Sequence, residues 1–167
     1  MKVVHSAAAT FVALSDPSGV NGACREQIRA NPSWRGGAPR YDCMLVSMDT
    51  SFDGMLSMEV AQVLCFFSFA YMNSSIHSCA LIHWFDRVTD EPDELTGMWM
   101  VTPSFTEDGG KHMAVIPVES IVRNIHLLPI FGAKYVPDHT TYNNSLDLYR
   151  GFYVNHFSDH HAFDLLS

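Results

Sequence analysis

The sequence lacks the long apolar run that a membrane-spanning helix requires. Its longest candidate, "VLCFFSFAYM" at 63–72, contains a serine and is shorter than the roughly 18 residues that a span needs. The sequence also contains no phosphate-binding P-loop, no glycine-rich dinucleotide turn and no G-x-S-x-G nucleophile elbow. It therefore offers no motif of the nucleotide-dependent enzymes or of the α/β-hydrolases.

Cysteine is sparse. The 167 residues include only Cys24, Cys43, Cys65 and Cys79. No C-x-x-C pair occurs, and the gaps between the cysteines match no zinc-ribbon or zinc-finger spacing. Four cysteines are also too few for a disulfide scaffold of this length. The composition favours a reduced, intracellular protein, nuclear or cytoplasmic, that is not secreted.

Positive charge is scarce too, since ten Lys and Arg face eighteen Asp and Glu, a net charge of −8. Such a surface repels nucleic acid unless its basic residues are clustered, because phosphate neutralisation supplies most of the non-specific affinity. One cluster exists within positions 25–40, opposed only by Glu26: Arg25, Arg29, Arg35 and Arg40. These arginines are either a solvated face or a strip that binds DNA weakly and non-specifically.

The apolar start of the chain could belong to a signal peptide or to a strand. In "MKVVHSAAATFVAL" the apolar run is interrupted by His5, Ser6 and Thr10, and no basic cluster precedes it. We therefore predict a strand over 3–14. The next segment, "GACREQIRANP" at 22–32, predicts a short helix that ends at the proline.

From Tyr41 the pattern is that of β-structure. Two long runs rich in β-branched and aromatic residues, 57–72 and 76–88, predict a central hairpin. Strands of this length bend, and a bent antiparallel ribbon can close into a small barrel. A second hairpin is predicted around Asp108-Gly109-Gly110. A helical turn and a short closing strand are predicted for 119–132, whereas 146–157 fits a helix or a strand.

These elements predict a mainly β (α+β) fold. It is a small, bent antiparallel barrel, loosely like SH3 and bromo-adjacent-homology barrels, with two or three short helices. One domain is expected over 1–167, with an N-terminal strand, helix and loop at 1–40, a β core at 41–131, and a C-terminal extension at 132–167 that packs on the core. In the hairpin we expect buried side chains at Leu64, at Phe66 or Phe67, and at Leu81.

The tail "YVNHFSDHHAF" carries the main metal candidate. If it is helical, His156 and His160 lie one turn apart, with His161 beside them, and a metal-dependent β-barrel enzyme is the alternative function. These residues lie near a chain end, which is a poor scaffold for ligands. We therefore predict no metal and no cofactor. Instead, we expect Phe163 and Leu165 to dock the tail, with the imidazoles of His160 and His161 as hydrogen-bonding surface groups.

The aromatic residues offer a second candidate site. Trp84, Phe85 and Trp99 could form a peptide-binding cage of the kind that small barrels use, or they could pack in the core. His83 and Asp86 are three residues apart, so on a strand they point to opposite faces and cannot form a metal pair.

The order of the motifs resembles that of a known family. These motifs are "HSAAATFVALSDPSGVNGACREQIRANPSWR", "RYDCMLVSMD", "MEVAQVLCFFSF", "CALIHWFDRV", "DEPDELTGMWMV", "VESIVRNIHLLPIFG" and "DLYRGFYVNHFSDHHAF". Together they cover nearly the whole chain. They resemble the C-terminal segment of large transposon-derived proteins of mushroom-forming fungi, of the Plavaka and KDZ transposase type.

The resemblance implies a non-enzymatic accessory module, because in such proteins the nuclease-like catalytic core lies upstream of this segment. The layout is also similar to the strand-rich accessory domains of plant CACTA-type elements, and loosely to bromo-adjacent-homology barrels. The latter likeness implies that "HWF" at 83–85 lies at the barrel centre. The family's "DHHAF" corresponds to Asp159 to Phe163, whereas His156 stands where a basic residue is common, so the histidine triad looks incidental. We expect a stand-alone fragment of a once larger protein, with an unidentified protein or DNA as its partner and an oligomeric state that the sequence does not define.

Overall fold

A computed structural model describes residues 1–13, 22–48, 52–71, 75–132, 135–141 and 143–166. The strands are β1 Lys2–Val4, β2 Ser6–Val12, β3 Ala23–Asn31, β4 Arg40–Tyr41, β5 Cys43–Ser47, β6 Met58–Tyr71, β7 Ser75–Arg87, β8 Met100–Pro103, β9 Met113–Pro117, β10 Ile121–Ile125, β11 Leu127–Pro129 and β12 Phe152–Val154. The helices are α1 Ser145–Leu148 and α2 His160–Leu166, and 3₁₀ turns cover Trp34–Gly36, Gly54–Ser57 and Val118–Ser120.

The predicted antiparallel barrel is confirmed. One sheet has the strand order β10-β5-β6-β7-β8-β12-β11, and all of its pairings are antiparallel. Its two ends, β10 and β11, are separated in the chain only by His126, so the sheet curls back on itself and nearly closes. A nearly closed sheet leaves few unpaired backbone groups at its edges.

The predicted central hairpin is also confirmed, since β6 and β7 pair from Val60↔Phe85 to Tyr71↔Ser75. A bulge interrupts their register between Val63 and Cys65. Leu64 is the extra residue there, and an extra residue moves every following side chain to the opposite face. The bulge thus explains why Phe66 is buried together with Val63 on the outer side of the barrel. Leu64, Phe67 and Leu81 are only half-buried, so burial of the two leucines was wrongly predicted.

Two clusters of buried side chains form the core. The barrel interior holds Cys43, Leu45, Met55, Met58, Val60, Phe85, Trp99, Val101, Ile125, Phe152, Val154, Ala162 and Leu166. The outer cluster holds Ile28, Ala30, Met44, Val46, Ala61, Val63, Phe66, Ala80 and Ile82. The split follows strand alternation, which sends successive side chains of β5, β6 and β7 to opposite faces.

A separate three-stranded sheet, β2-β3-β4, covers the outer cluster. The predicted helix at 22–32 is wrong, because residues 23–31 form β3 and pair with β2. Its burial alternates, with Ile28 and Ala30 packed inward and Arg25, Gln27 and Arg29 on the other face. A strand is favoured here because it buries Ile28 and Ala30 against the apolar outer cluster of the barrel. This packing outweighs the helix propensity of Arg, Glu and Gln.

The N-terminal strand is confirmed over the described residues, but it is divided at His5. β1 pairs with β6 of the barrel, and β2 pairs with β3 of the small sheet. Residue 14 lies outside the described residues.

The second predicted hairpin differs from what is observed. Both β8 and β9 pair with β7, at 85–87 and at 79–83 respectively, so they form one interrupted strand along the same edge. Residues 104–112 leave that edge as a small loop closed by the bridge between Phe105 and Lys111.

The C-terminal segment contains both of the structures that the sequence allowed, α1 at 145–148 and then β12 at 152–154. Helix α2 closes one end of the barrel, where Ala162 and Leu166 enter the interior cluster. The predicted docking through Leu165 is confirmed, since this half-buried side chain packs against the interior cluster. The predicted docking through Phe163 is corrected: Phe163 is 47% exposed, and Ala162 and Leu166 are the side chains of α2 that are buried in the cluster. Among the described residues, no helix has the length and apolar character needed to cross a lipid bilayer.

Candidate functional site

The two tryptophans of the predicted peptide cage lie in different parts of the core. Trp99 is 6% exposed in the barrel interior, and its indole N–H donates to the carbonyl of Leu166 at 3.0 Å. Trp84 is half-buried against the outer cluster. The barrel wall separates the two side chains, so they do not form one cage; Trp99 instead anchors the end of α2.

Three of the four candidate arginines converge on one indole ring. The guanidinium carbons of Arg29, Arg35 and Arg40 lie 4.7, 5.4 and 5.4 Å from the centroid of Trp34. All three distances are within the range of a cation–π interaction. Arg25 lies on the same outward face of β3, one strand repeat beyond Gln27. We call Arg25, Arg29, Arg35, Arg40 and Trp34 the arginine surface.

Local structure builds this surface from two sides. Alternation in β3 directs Arg29 outward, and the pairing Asn31↔Arg40 places Arg40 on the same face of the small sheet. The 3₁₀ turn between these strands carries Trp34 and Arg35. Arg35 has φ +52°, in the left-handed region that non-glycine residues rarely adopt. The turn therefore holds Arg35 beside the indole at a conformational cost.

One carboxylate organises the arginine surface. Asp42 accepts a hydrogen bond from Nε of Arg40 at 2.7 Å and one from the backbone N–H of Arg29 at 2.9 Å. The guanidinium of Arg29 donates to the backbone and side-chain oxygens of Gln27, at 3.4 and 3.3 Å. Asp42 thus offsets only part of the charge of the four arginines, and the arginine surface together with Asp42 has a net positive charge.

A cavity of about 530 Å³ lies where the inward-facing side chains of β6 and β7 continue past the interior cluster, further along β6 than the 3₁₀ turn that contacts α2, and we call it the barrel mouth. Gln62 of β6 and His83 of β7 are directly paired across the strands and both line this cavity. His83 is 2% exposed, and its Nε2 lies 2.8 Å from the carbonyl oxygen of Ser104. A carbonyl only accepts, so Nε2 carries the proton. Burial lowers the pKa of His83, which keeps the ring neutral.

A groove of about 800 Å³ connects the cavity with the arginine surface. It shares Gln62, Lys111 and Asp147 with the cavity and extends to Arg35 and Arg40. An extended ligand could therefore contact both places at once.

The tail histidines are in three different environments. His156 is 5% exposed and packs on the rings of Phe157 and Phe163, and among the described residues neither of its ring nitrogens has a hydrogen-bond partner. His160 is exposed, whereas His161 accepts a hydrogen bond from Arg123 through Nδ1. No group of three or more histidine, cysteine or acidic side chains within the described ranges could hold a metal ion. His160 and His161 were predicted to be hydrogen-bonding surface groups; His160 is exposed, and His161 is half-buried and hydrogen-bonded to Arg123.

Sequence reasoning missed Trp34, Gln62 and His83 as members of one region. Trp34 had a usable signal, because it stands inside "SWRGGAPR" between the arginines. Gln62 and His83 had none, since their neighbourhood depends on the register of β6 and β7. Comparisons with protein-family models, with curated proteins and with solved structures found no match.

Proposed function

We propose that this protein is a non-enzymatic interaction module that binds nucleic acid through the arginine surface. The observation that supports this proposal is the convergence of three guanidinium groups on Trp34 at 4.7–5.4 Å. Four of the ten basic residues of an acidic chain lie in this one region. The rest of the protein, by charge, repels a polyanion, so binding is confined to this face.

Electrostatics favours an anion at this place. Guanidinium groups that share one indole repel each other, and an incoming phosphate relieves that repulsion. Asp42 is already engaged by Arg40, and its side chain is 9% exposed, so it neutralises only part of the charge. Stacking on Trp34 also holds the arginines in place before a ligand arrives, which reduces the entropy that binding costs.

Nucleic acid fits this chemistry better than an acidic peptide does. The planar guanidinium fork matches phosphate geometry, and guanidinium and indole planes both stack on bases. The same outward face of β3 presents the polar side chains of Gln27 and Asn31, which suit phosphate and sugar contacts. The resemblance to transposon-derived proteins makes DNA the favoured polyanion.

Binding should be weak and strongly salt-dependent. Four arginines neutralise about four phosphates, so the slope of log K against log[salt] should be about −3 to −4 on duplex DNA. The net charge of −8 opposes tighter association. We expect no tight binding at physiological salt.

Fluorescence anisotropy with labelled single strands and duplexes, over a series of salt concentrations, tests this proposal. The double variant Arg29→Gln with Arg35→Gln should reduce the salt slope by about two and weaken binding at low salt by at least about tenfold. The control variant, Lys2→Gln with Arg87→Gln, loses the same charge elsewhere and should retain most of the affinity. Equal losses in both variants, or equal competition by an acidic polypeptide, would exclude a nucleic-acid-specific surface.

A further inference from the structure

The mouth of the barrel has the form of a small-molecule site. One end of the barrel is closed by α2, which packs against the 3₁₀ turn Gly54–Ser57 that leads into β6. Further along β6, Gln62 lines the cavity of about 530 Å³, which is in the usual size range of ligand pockets, about 300–1,000 Å³. The mouths of β-barrels are a common location for such pockets.

Aromatic rings surround this cavity. Phe85 is buried at its base, Tyr149 lines its wall, and Phe105 stands at its rim. Phe105 is 57% exposed, and its ring centroid lies 5.9 Å from that of His83 in an edge-to-face arrangement. An exposed aromatic side chain beside other rings gains most from a planar ligand that covers it.

Hydrogen-bonding groups of both kinds lie in the same cavity. The Gln62 amide can both donate and accept, and the neutral ring of His83, with its proton on Nε2, offers Nδ1 as an acceptor. Within the described part of the chain, the Gln62 amide donates one long hydrogen bond, 3.4 Å to the carbonyl oxygen of Tyr41. An amide and an imidazole that face a cavity suit the edge of a heteroaromatic ring.

The charges around the mouth are mainly positive. Lys111 and Arg150 line the cavity together with Asp147, which lies 3.8 Å from the Lys111 ammonium nitrogen. The shared groove continues toward Arg35 and Arg40. The cavity and the groove together are lined by four cations, Lys111, Arg150, Arg35 and Arg40, and by two carboxylates, Asp147 and Asp42. An anionic group attached to a ring in the cavity would therefore meet more positive than negative side chains.

We infer that the barrel mouth binds a planar heteroaromatic ring that carries a phosphate, with the ring against Phe105, Gln62 and His83 and the phosphate toward Lys111. Two sources share this chemistry. One is a free nucleotide, which is independent of the proposed function. The other is an unpaired base of a strand held on the arginine surface, which rests on the proposed function.

Nuclear magnetic resonance titration of the full chain with adenosine monophosphate, ribose phosphate and a short single strand tests this inference. We expect saturable shifts of the Gln62 side-chain amide and of the Lys111 backbone amide with a ligand that has a heteroaromatic base, and none with ribose phosphate. Gln62→Leu and Phe105→Ala should each weaken this binding by at least about fivefold. Phe52→Ala is the control, because Phe52 is 62% exposed beside the turn that packs on α2.

The outcomes separate the two sources. Saturation by adenosine monophosphate supports the inference with a free nucleotide as ligand, and it should survive the Arg29→Gln, Arg35→Gln double variant. Saturation by the single strand alone, lost in that double variant, supports it with an unpaired base as ligand. The inference is overturned if no ligand saturates these signals, or if ribose phosphate, which has no heteroaromatic base, produces the same shifts. If the parent protein does not bind the single strand at the arginine surface but does bind adenosine monophosphate in the barrel mouth, only the proposed function is rejected.

Discussion

The guanidinium group of Arg123 binds both carboxylate oxygens of Asp159, at 2.6 and 2.9 Å. Arg123 is 3% exposed on β10, and Asp159 immediately precedes α2, where it also accepts the backbone N–H of Ala162 at 2.8 Å. Asp159 is therefore both the N-cap of α2 and the partner of a buried cation. His161 completes the arrangement, since its ring stacks on Phe11 with centroids 4.4 Å apart.

Removing the charge of Asp159 should destabilise the fold. Of the described residues, Asp159→Asn leaves Glu26, 3.7 Å away, as the one carboxylate paired with Arg123. Breaking a fully buried pair costs about 3–5 kcal/mol, and partial exposure of Asp159 should reduce this to about 2 kcal/mol. Urea denaturation measures the loss. Asp147→Asn is the control, because its exposed pair with Lys111 should contribute less than about 0.5 kcal/mol; equal losses would contradict the prediction.

His156 should make the protein less stable in mild acid. Burial lowers the pKa of His156 below its ordinary 6.5, so the unfolded chain takes up a proton more readily than the folded protein does. The contribution of neutral His156 to the free energy of unfolding is complete when the pH is above the ordinary pKa of histidine, and it decreases as the pH falls below that pKa. Because neither ring nitrogen has a partner in the part of the chain that the structure describes, His156→Leu should be neutral or stabilising at about pH 7 and should reduce the loss of stability toward about pH 5.

Urea midpoints at the two pH values measure this effect, and the exposed His160→Gln variant is the control. Part of the dependence of stability on pH should remain in His156→Leu, since burial also lowers the pKa of His83 and of His161. An unchanged slope in His156→Leu would show that its protonation is not coupled to folding.

Two phenylalanines on β6 should differ sharply in their contribution to stability. Phe66 is 1% exposed in the outer cluster, so Phe66→Ala should cost about 3–5 kcal/mol. Phe69, on the same strand, is 37% exposed, and Phe69→Ala should cost about 1 kcal/mol or less. Thermal and urea melting of both variants measure the difference. Similar losses would mean that the bulge does not place Phe66 in the core.

Cys43 should resist thiol reagents in the folded protein. Burial, and secondarily the negative charge of Asp42, raises the pKa of the Cys43 thiol to about 12, so almost no thiolate exists at neutral pH. Ellman's reagent should therefore count the same number of fast-reacting thiols in the parent and in Cys43→Ala. In denaturant the variant should show one thiol fewer. A fast-reacting thiol that disappears in the native variant would disprove this protection.

Local patterns in the chain were enough to predict the hairpin of β6 and β7, because alternation and β-branched or aromatic composition favour long strands in any context. Local patterns were misleading at 22–32, where they predicted a helix and the structure has strand β3. Ile28 and Ala30 show their alternation only against the outer face of the barrel, which is built from residues far along the chain. They also failed at Leu64, since a single extra residue changes which side chains face the core, and no local signal marks it.

The candidate site, too, could be predicted from the sequence only in part. The arginines are close together in the chain, so their grouping could be predicted, and so could the net negative charge of the remaining surface. Their convergence on Trp34 required the pairing of β3 with β4 and the left-handed turn at Arg35. His83 and Gln62 are neighbours only through the register of β6 and β7. Composition and periodicity are properties of short segments, whereas a site depends on contacts between distant segments, and those contacts are chosen by the burial of the whole core.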